Sequence, residues 1–275
     1  MNMVEVLQGV AGATTATRVG TDSLTPMFSK LLPMAFPAAT VVDGESTMRR
    51  ARRVKSAAEV AEIRTSVRVA ERCLAVAEKR FAPGVSERQL TAAFMEEMAL
   101  AGVTTPSSQD VAWITSPTHP WHHGDRDRAV AEGNVVVLAG GVIRGGYTGE
   151  LARTHVADGG RPALLDRLED LRGRLLDACR PGRPTADLLG AYAAAGVEPP
   201  PAPVARGLGL GFDLPIVTAD LAETAVADIF EPGLVFALTT YVWEEGVGAA
   251  MATDPVHLTE RGPELLSEPS PEDDQ

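Results

Sequence analysis

Three side chains in this sequence have the chemistry to hold and move charge around a small polar substrate: His122, Glu150 and Arg206. His122 stands in Trp121-His122-His123-Gly124-Asp125-Arg126, where the chain has its only adjacent pair of histidines. An imidazole titrates near neutral pH and can give and take a proton there, with His123 as the fallback. A histidine near a loop tip can equally be solvated or structural. Glu150 can orient or polarise a substrate, or act as a base if its pocket raises its pKa. It can also simply pair with Arg206. Arg206, in Arg206-Gly207-Leu208-Gly209, carries a fixed positive charge and can grip a carboxylate with two parallel hydrogen bonds, which Lys cannot imitate. Tyr147, Asp213, Thr239 and Glu244 are secondary candidates for substrate contact. Trp113, Trp121, Tyr241 and Trp243 can line an apolar pocket, although aromatic residues at strand positions more often build core.

These residues need a scaffold. Val135 to Thr154 reads as a buried apolar strand, a turn at Gly145-Gly146 and a second strand running toward Val156, with Glu150 facing inward after the turn. Two adjacent glycines permit the positive φ angles that a tight hairpin demands. Ser56 and Glu59 have capping-box spacing ahead of Val60, Ile63, Val67, Ala70, Leu74 and Ala77, the buried face of a long helix. Ser86 and Gln89 repeat the cap before a helix through Leu90, Phe94 and Met98 that stops at Gly102. A second helix–Pro-Gly–helix unit follows: leucines from Leu164 to Leu176, then Pro181-Gly182, then Leu188 and Tyr192 up to Gly196. Matching units imply an internal duplication whose helices cover one antiparallel sheet. Pro199 to Pro203 is an extended connection, Val204 to Gly211 a Gly-rich strand, and Gly233 to Val242 and Val256 to Thr259 closing strands. The alternating glycines are not followed by a helix, which argues against a dinucleotide loop.

The motifs resemble those of the pita-bread fold family, which includes methionine and proline-specific aminopeptidases, prolidase and creatinase. The resemblance rests on His122-His123-Gly124, Gly146-Tyr147 and Ala152-Arg153-Thr154 at matching spacing, and it implies an α+β pita-bread fold. Metal-dependent members hold two divalent cations with five side chains. By the resemblance those positions fall on Ala139, Glu150, Arg206, Thr239 and Thr253, and a second histidine of the family falls on Asp213. Only Glu150 retains a metal-binding group, so the resemblance implies a member without metal or other cofactor. His122 matches the histidine that metal-free creatinase uses for proton transfer. Ala152 departs from creatinase, which has a glutamate there, so creatine hydrolysis is not implied. Arg153 belongs to the Arg-Thr signature and is expected to hold the sheet together.

Length, charge and cysteines narrow the remaining choices. The 275 residues, 45% apolar, suffice for a sizeable core, and a net charge of −12 offers no basic footprint for nucleic acid. Cys73 and Cys179 match no zinc spacing and read as buried thiols. No uncharged apolar run is long enough to span a membrane, and the amino terminus lacks a leader pattern, so the expected place is the cytoplasm. Residues 1–46 are expected to be a remnant of a creatinase-type amino-terminal domain, with a strand at Val4 to Val10 and a helix from Leu24 to Met34, packing on the main domain or across a homodimer interface. Residues 47–267 form the pita-bread domain, and 268–275 a disordered acidic tail.

The expected function is metal-independent acid–base chemistry on a small carboxylate-bearing nitrogen compound, by C–N hydrolysis, elimination, cyclisation or isomerisation. His122 transfers protons, Glu150 orients and Arg206 anchors the anion. The alternatives are a non-catalytic binding or scaffold protein on the same fold, and a metal-dependent aminopeptidase.

Overall fold

The computed structural model describes residues 2–108, 110–121, 127–211, 213–221 and 228–267; His122, His123 and the acidic tail lie outside them. The chain divides into two compact units, Met1–Arg52 and Arg53–Gln275. The first holds α1 (Met3–Gln8), β1 (Arg18–Thr21), α2 (Pro26–Ala35) and β2 (Thr40–Asp43), and α3 (Glu45–Arg53) runs across the boundary. The break therefore falls six residues beyond the one expected after Ser46. The strand expected at Val4 to Val10 is instead the helix α1. Asn2 accepts from the Glu5 N–H while the Glu5 carboxylate accepts from the Asn2 N–H, and this reciprocal cap outweighs the β-branched valines. β1 and β2 pair in parallel from Arg18↔Thr40 to Thr21↔Asp43.

The second unit begins with α4 (Ala57–Lys79) and α5 (Glu87–Leu100), both started by the capping boxes legible in the sequence. β3 (Ala112–Ile114), β4 (Val135–Arg144) and β5 (Tyr147–Val156) follow, then α6 (Ala163–Ala178), α7 (Asp187–Ala195), β6 (Ala205–Gly207), β7 (Asp213–Val217), β8 (Val235–Glu244), β9 (Gly248–Thr259) and β10 (Gly262–Leu265). The sheet order is β3-β4-β5-β9-β8-β6-β7, with β10 on the outer part of β9. Gly145 and Gly146, at φ 58° and 87°, make the two-residue hairpin turn between the paired Arg144 and Tyr147.

The duplication is explicit in the hydrogen bonds. Gly84 N–H donates to Val130 and Gly182 N–H to Phe230, at 2.7 and 2.8 Å, each from a positive-φ glycine between the two helices of its half. Each half then delivers a hairpin, β4–β5 or β8–β9. The hairpins meet at a seam with one registered pair, Ala152↔Thr253. Side chains supply what the short ladder lacks: Thr154 Oγ1 accepts from Met251 N–H and donates to Met251 C=O, both at 2.8 Å. Arg153 donates to the carbonyls of Ala152 and Thr253 and pairs at 3.1 Å with the fully buried Asp254, which Arg172 grips from α6.

One sheet face is sealed by helices. Val136, Leu138, Val142 and Leu151 pack with Ala70, Leu74, Leu90 and Phe94 of α4 and α5. Phe236, Leu238, Ala250 and Ala252 pack with Leu164, Leu168, Leu175 and Tyr192 of α6 and α7. The helices approach closely because β5 and β4 carry glycines there. A Cβ on Gly149 would lie 2.3 Å from the Val67 nitrogen, and one on Gly140 would lie 2.6 Å from the Phe94 ring. Both cysteines are buried, and burial pushes the Cys73 and Cys179 thiols up to about 11 and about 12, far from a nucleophile's range.

Candidate functional site

The opposite face carries the site. Strand side chains alternate, so residues paired across the ladder share a face. Ala139, Ala152, Thr253 and Thr239 form one cross-strand row through the seam. The Thr239 and Thr253 hydroxyls hydrogen-bond to each other at 3.3 Å. Two residues along the strands in one direction stand Glu150, paired with Gly141, and Ala237, paired with Arg206. Two residues in the other direction stand Val137, Thr154, Met251 and Tyr241, with Trp113 beyond Val137. The face therefore has a charged end, a middle of small side chains and an aromatic end.

At the charged end Arg206 Nη2 donates to both carboxylate oxygens of Glu150. The carboxylate is largely buried at 16% exposure, the guanidinium open at 44%. Both bidentate edges of a guanidinium include Nη2, which is taken by Glu150, so what remains for a second carboxylate are single hydrogen bonds from the Nε and Nη1 N–H groups. Ser107, which the sequence did not single out, stands beside Glu150: its hydroxyl lies 2.3 Å from where a Cβ on Gly141 would sit, so only glycine admits it. Nothing in the local sequence marks Ser107, because its place depends on the Ser107–Gly141 backbone hydrogen bond between distant segments.

At the aromatic end Trp121 stacks between Trp113, at 5.6 Å, and Tyr241, at 4.4 Å. β3 and β8 are four strand spacings apart, about 19 Å across a flat sheet. One ring spans the gap because the sheet curls around this face and the side chains lean inward. The 115–117 segment ties the curl. Thr115 Oγ1 donates to Val135 C=O and accepts from Ala249 N–H, both at 3.0 Å, and Ser116 C=O accepts from the Trp243 indole at 3.0 Å. Trp121 has φ 62°, a left-handed backbone that costs a bulky residue roughly 1–3 kcal/mol. Two stacked contacts of about 0.5–1.5 kcal/mol each offset that cost. Burial pushes the Tyr241 phenol up to about 12, so it stays neutral.

The remaining candidates separate. Thr239 is in the middle row. Tyr147 is on the helix-covered face, its hydroxyl donating to Glu59 at 3.4 Å and its backbone carbonyl accepting from Ser66. It lies three residues from Glu150, an odd step in a strand, and so points the other way. Glu244 is likewise an odd step from Thr239 and pairs with Arg167 of α6 at 3.1 Å. Asp213 is 1% exposed, 3.4 Å from the equally buried Lys55 Nζ, and accepts from the Leu210 N–H, which makes it a structural anchor. These three placements set Tyr147, Glu244 and Asp213 apart from the Arg206–Glu150 pair. His122 and His123 follow Trp121 in the chain and lie outside the described residues.

Among the described residues the donor set does not suit paired divalent cations. The middle row presents two methyl groups and two hydroxyls, and Glu150 already neutralises Arg206. Hard cations take several oxygen ligands with carboxylates among them, and the described residues contain no group of three or more His, Cys, Asp or Glu arranged to hold one.

Comparison with known proteins places this geometry. The prolidase from Pyrococcus horikoshii OT3 matches with a TM-score of 0.79 at 18% identity, covering 98% of this chain and 78% of its own. The X-Pro aminopeptidase from Thermotoga maritima MSB8 matches with a TM-score of 0.83 at 16% identity, covering 98% and 78%. These show the pita-bread α+β fold expected from the motifs. An uncharacterised peptidase of Staphylococcus aureus (strain MSSA476) is 22% identical over 266 residues, covering 90% of this chain and 72% of the relative. YkvY of Bacillus subtilis (strain 168), provisionally labelled a dipeptidase, is 21% identical over 254 residues, covering 90% and 69%. The model of metallopeptidase family M24 matches residues 61–260, and the chain with its curled, duplicated sheet belongs to that family.

Proposed function

We propose that this chain is a hydrolase that cleaves the C–N bond of a small amide with a free carboxylate, and that it does so without a pair of bound cations. The observation that carries this reading is the Arg206–Glu150 pair, a guanidinium held by Glu150 at Nη2 and 44% exposed, beside a row of small side chains. Arg206 takes the substrate carboxylate and Glu150 fixes the guanidinium's orientation. His122 is the proton carrier: water adds to the carbonyl carbon, its proton passes through the imidazole to the amide nitrogen, and amine and acid leave. The relatives' names as peptidases support hydrolysis over elimination or isomerisation. Those names also favour a second reading, a peptidase that recruits a metal. No helix among the described residues is long and apolar enough to cross a membrane. A cytoplasmic homodimer completes the proposal.

The test is turnover of N-acyl amino acids and dipeptides by the full chain, with chelator and with added manganese. Chelator-insensitive hydrolysis that is lost in His122→Ala and Arg206→Gln is the expected result. Hydrolysis only with manganese would establish the second reading, and tight binding without turnover would mark a binding protein on the same fold.

A further inference from the structure

The sequence contains three tryptophans, and all three, Trp113, Trp121 and Trp243, gather with Tyr241 at one end of the open face. Trp113 and Tyr241 are buried, at 5% and 3% exposure, and form the backing. Trp121 and Trp243 are only partly buried and form the front. Trp121 is fixed by stacking on both backing rings, and Trp243 is pinned through its indole N–H to Ser116. A core needs no such half-exposed front. From Tyr241 to Ala237, the strand position opposite Arg206, is four residues, about 13 Å before side chains reach in from either end. Between the two ends the strands contribute only the small side chains of Ala139, Ala152, Thr239 and Thr253 to this row.

Given the anion site at Arg206, on which this step rests, we infer that the substrate is an aromatic amide acid, with a planar ring at the Trp121–Trp243 front and a carboxylate at Arg206. An aryl-acylated glycine has this shape: ring, planar amide over the small-residue row, carboxylate at the far end. With the Trp121 faces taken by Trp113 and Tyr241, the ring packs against the Trp121 edge and on Trp243, and gains affinity through edge-to-face contact and burial that a methyl group cannot match.

Calorimetry on the full chain with three probes separates the two ends: N-benzoylglycine, N-acetylglycine and N-benzoylglycinamide. With no tryptophan elsewhere, indole emission reports ring contact directly. N-benzoylglycine should bind about tenfold or more tighter than N-acetylglycine and shift the emission. Trp121→Leu should remove that preference while leaving N-acetylglycine affinity within about twofold, and Arg206→Gln should weaken both acids alike. Trp243→Leu is the second variant should Trp121→Leu unfold by circular dichroism. If both acids bind equally through Arg206, the aromatic front is wrong and the anion site stands. If N-benzoylglycinamide binds as well as N-benzoylglycine and Arg206→Gln changes nothing, the anion site is wrong while the front stands. No emission change with either benzoyl compound overturns the inference.

Discussion

Replacing Arg206 with Gln separates function from stability, because the Arg206–Glu150 pair is open to water on the arginine side. At 44% and 16% exposure the pair resembles a surface ion pair, worth about 0–1 kcal/mol. Glu150 can rehydrate through the gap that the shorter Gln leaves. For a domain of this size about 1 kcal/mol moves Tm by about 2–4 °C, so Arg206→Gln should lower it by less than about 4 °C. Binding of a carboxylate ligand loses hydrogen bonds to a charged group, about 1.5–3 kcal/mol, or about 10- to 150-fold in Kd. Arg206→Lys keeps the charge without the planar fork and should fall between. Differential scanning fluorimetry and calorimetry with N-benzoylglycine read the two quantities on one preparation. A Tm loss above about 8 °C with unchanged Kd would refute the reasoning, since the pair would then be a structural clasp with no role in binding.

The other arginine of the seam should behave in the opposite way: Arg153→Gln strips Asp254 of one of its two arginines and two carbonyls of their donor, and should destabilise by about 2–4 kcal/mol, read as a fall in Tm, with ligand affinity within about threefold. Gly149→Ala forces a methyl onto the Val67 backbone and should cost about 1–3 kcal/mol, whereas Gly173→Ala on α6, where nothing lies within 4 Å, should gain about 0.4–1 kcal/mol; paired melts compare them. Burial lowers the His257 pKa below 6.5, so the unfolded chain binds the proton more readily. His257 therefore stabilises above its unfolded pKa, and that contribution fades as pH falls from 6.5 toward the folded value; His257→Asn should flatten this limb of a Tm-against-pH curve. Manganese at about 1 mM should leave the wild-type Tm unchanged, while the combined Ala139→Asp, Arg206→His, Thr239→Glu and Thr253→Glu variant should gain several degrees through linkage to binding.

Much of the frame was legible because it is written in local chemistry. Ser56 with Glu59 and Ser86 with Gln89 satisfy helix-end N–H groups within four residues, and Gly145-Gly146 supplies a turn conformation that other residues avoid. The repeated Pro-Gly between helices gave away the duplication for the same reason. Asn2 with Glu5 carries an equally local cap, and the valines beside it led to the one misread element.

The amino-acid sequence thus determined most of the helices, the hairpins and the family, since each depends on neighbours in the chain or on residue type alone. Tertiary structure alone decided which candidates meet. Glu150 and Arg206 are 56 residues apart and touch only because β5 and β6 bring them to one face, while Tyr147, three residues from Glu150, is turned to the other by the two-residue period of a strand. Trp113, Trp121 and Tyr241 converge only because the seam between the repeats curls the sheet, a property of how two halves pack that no single stretch of chain encodes.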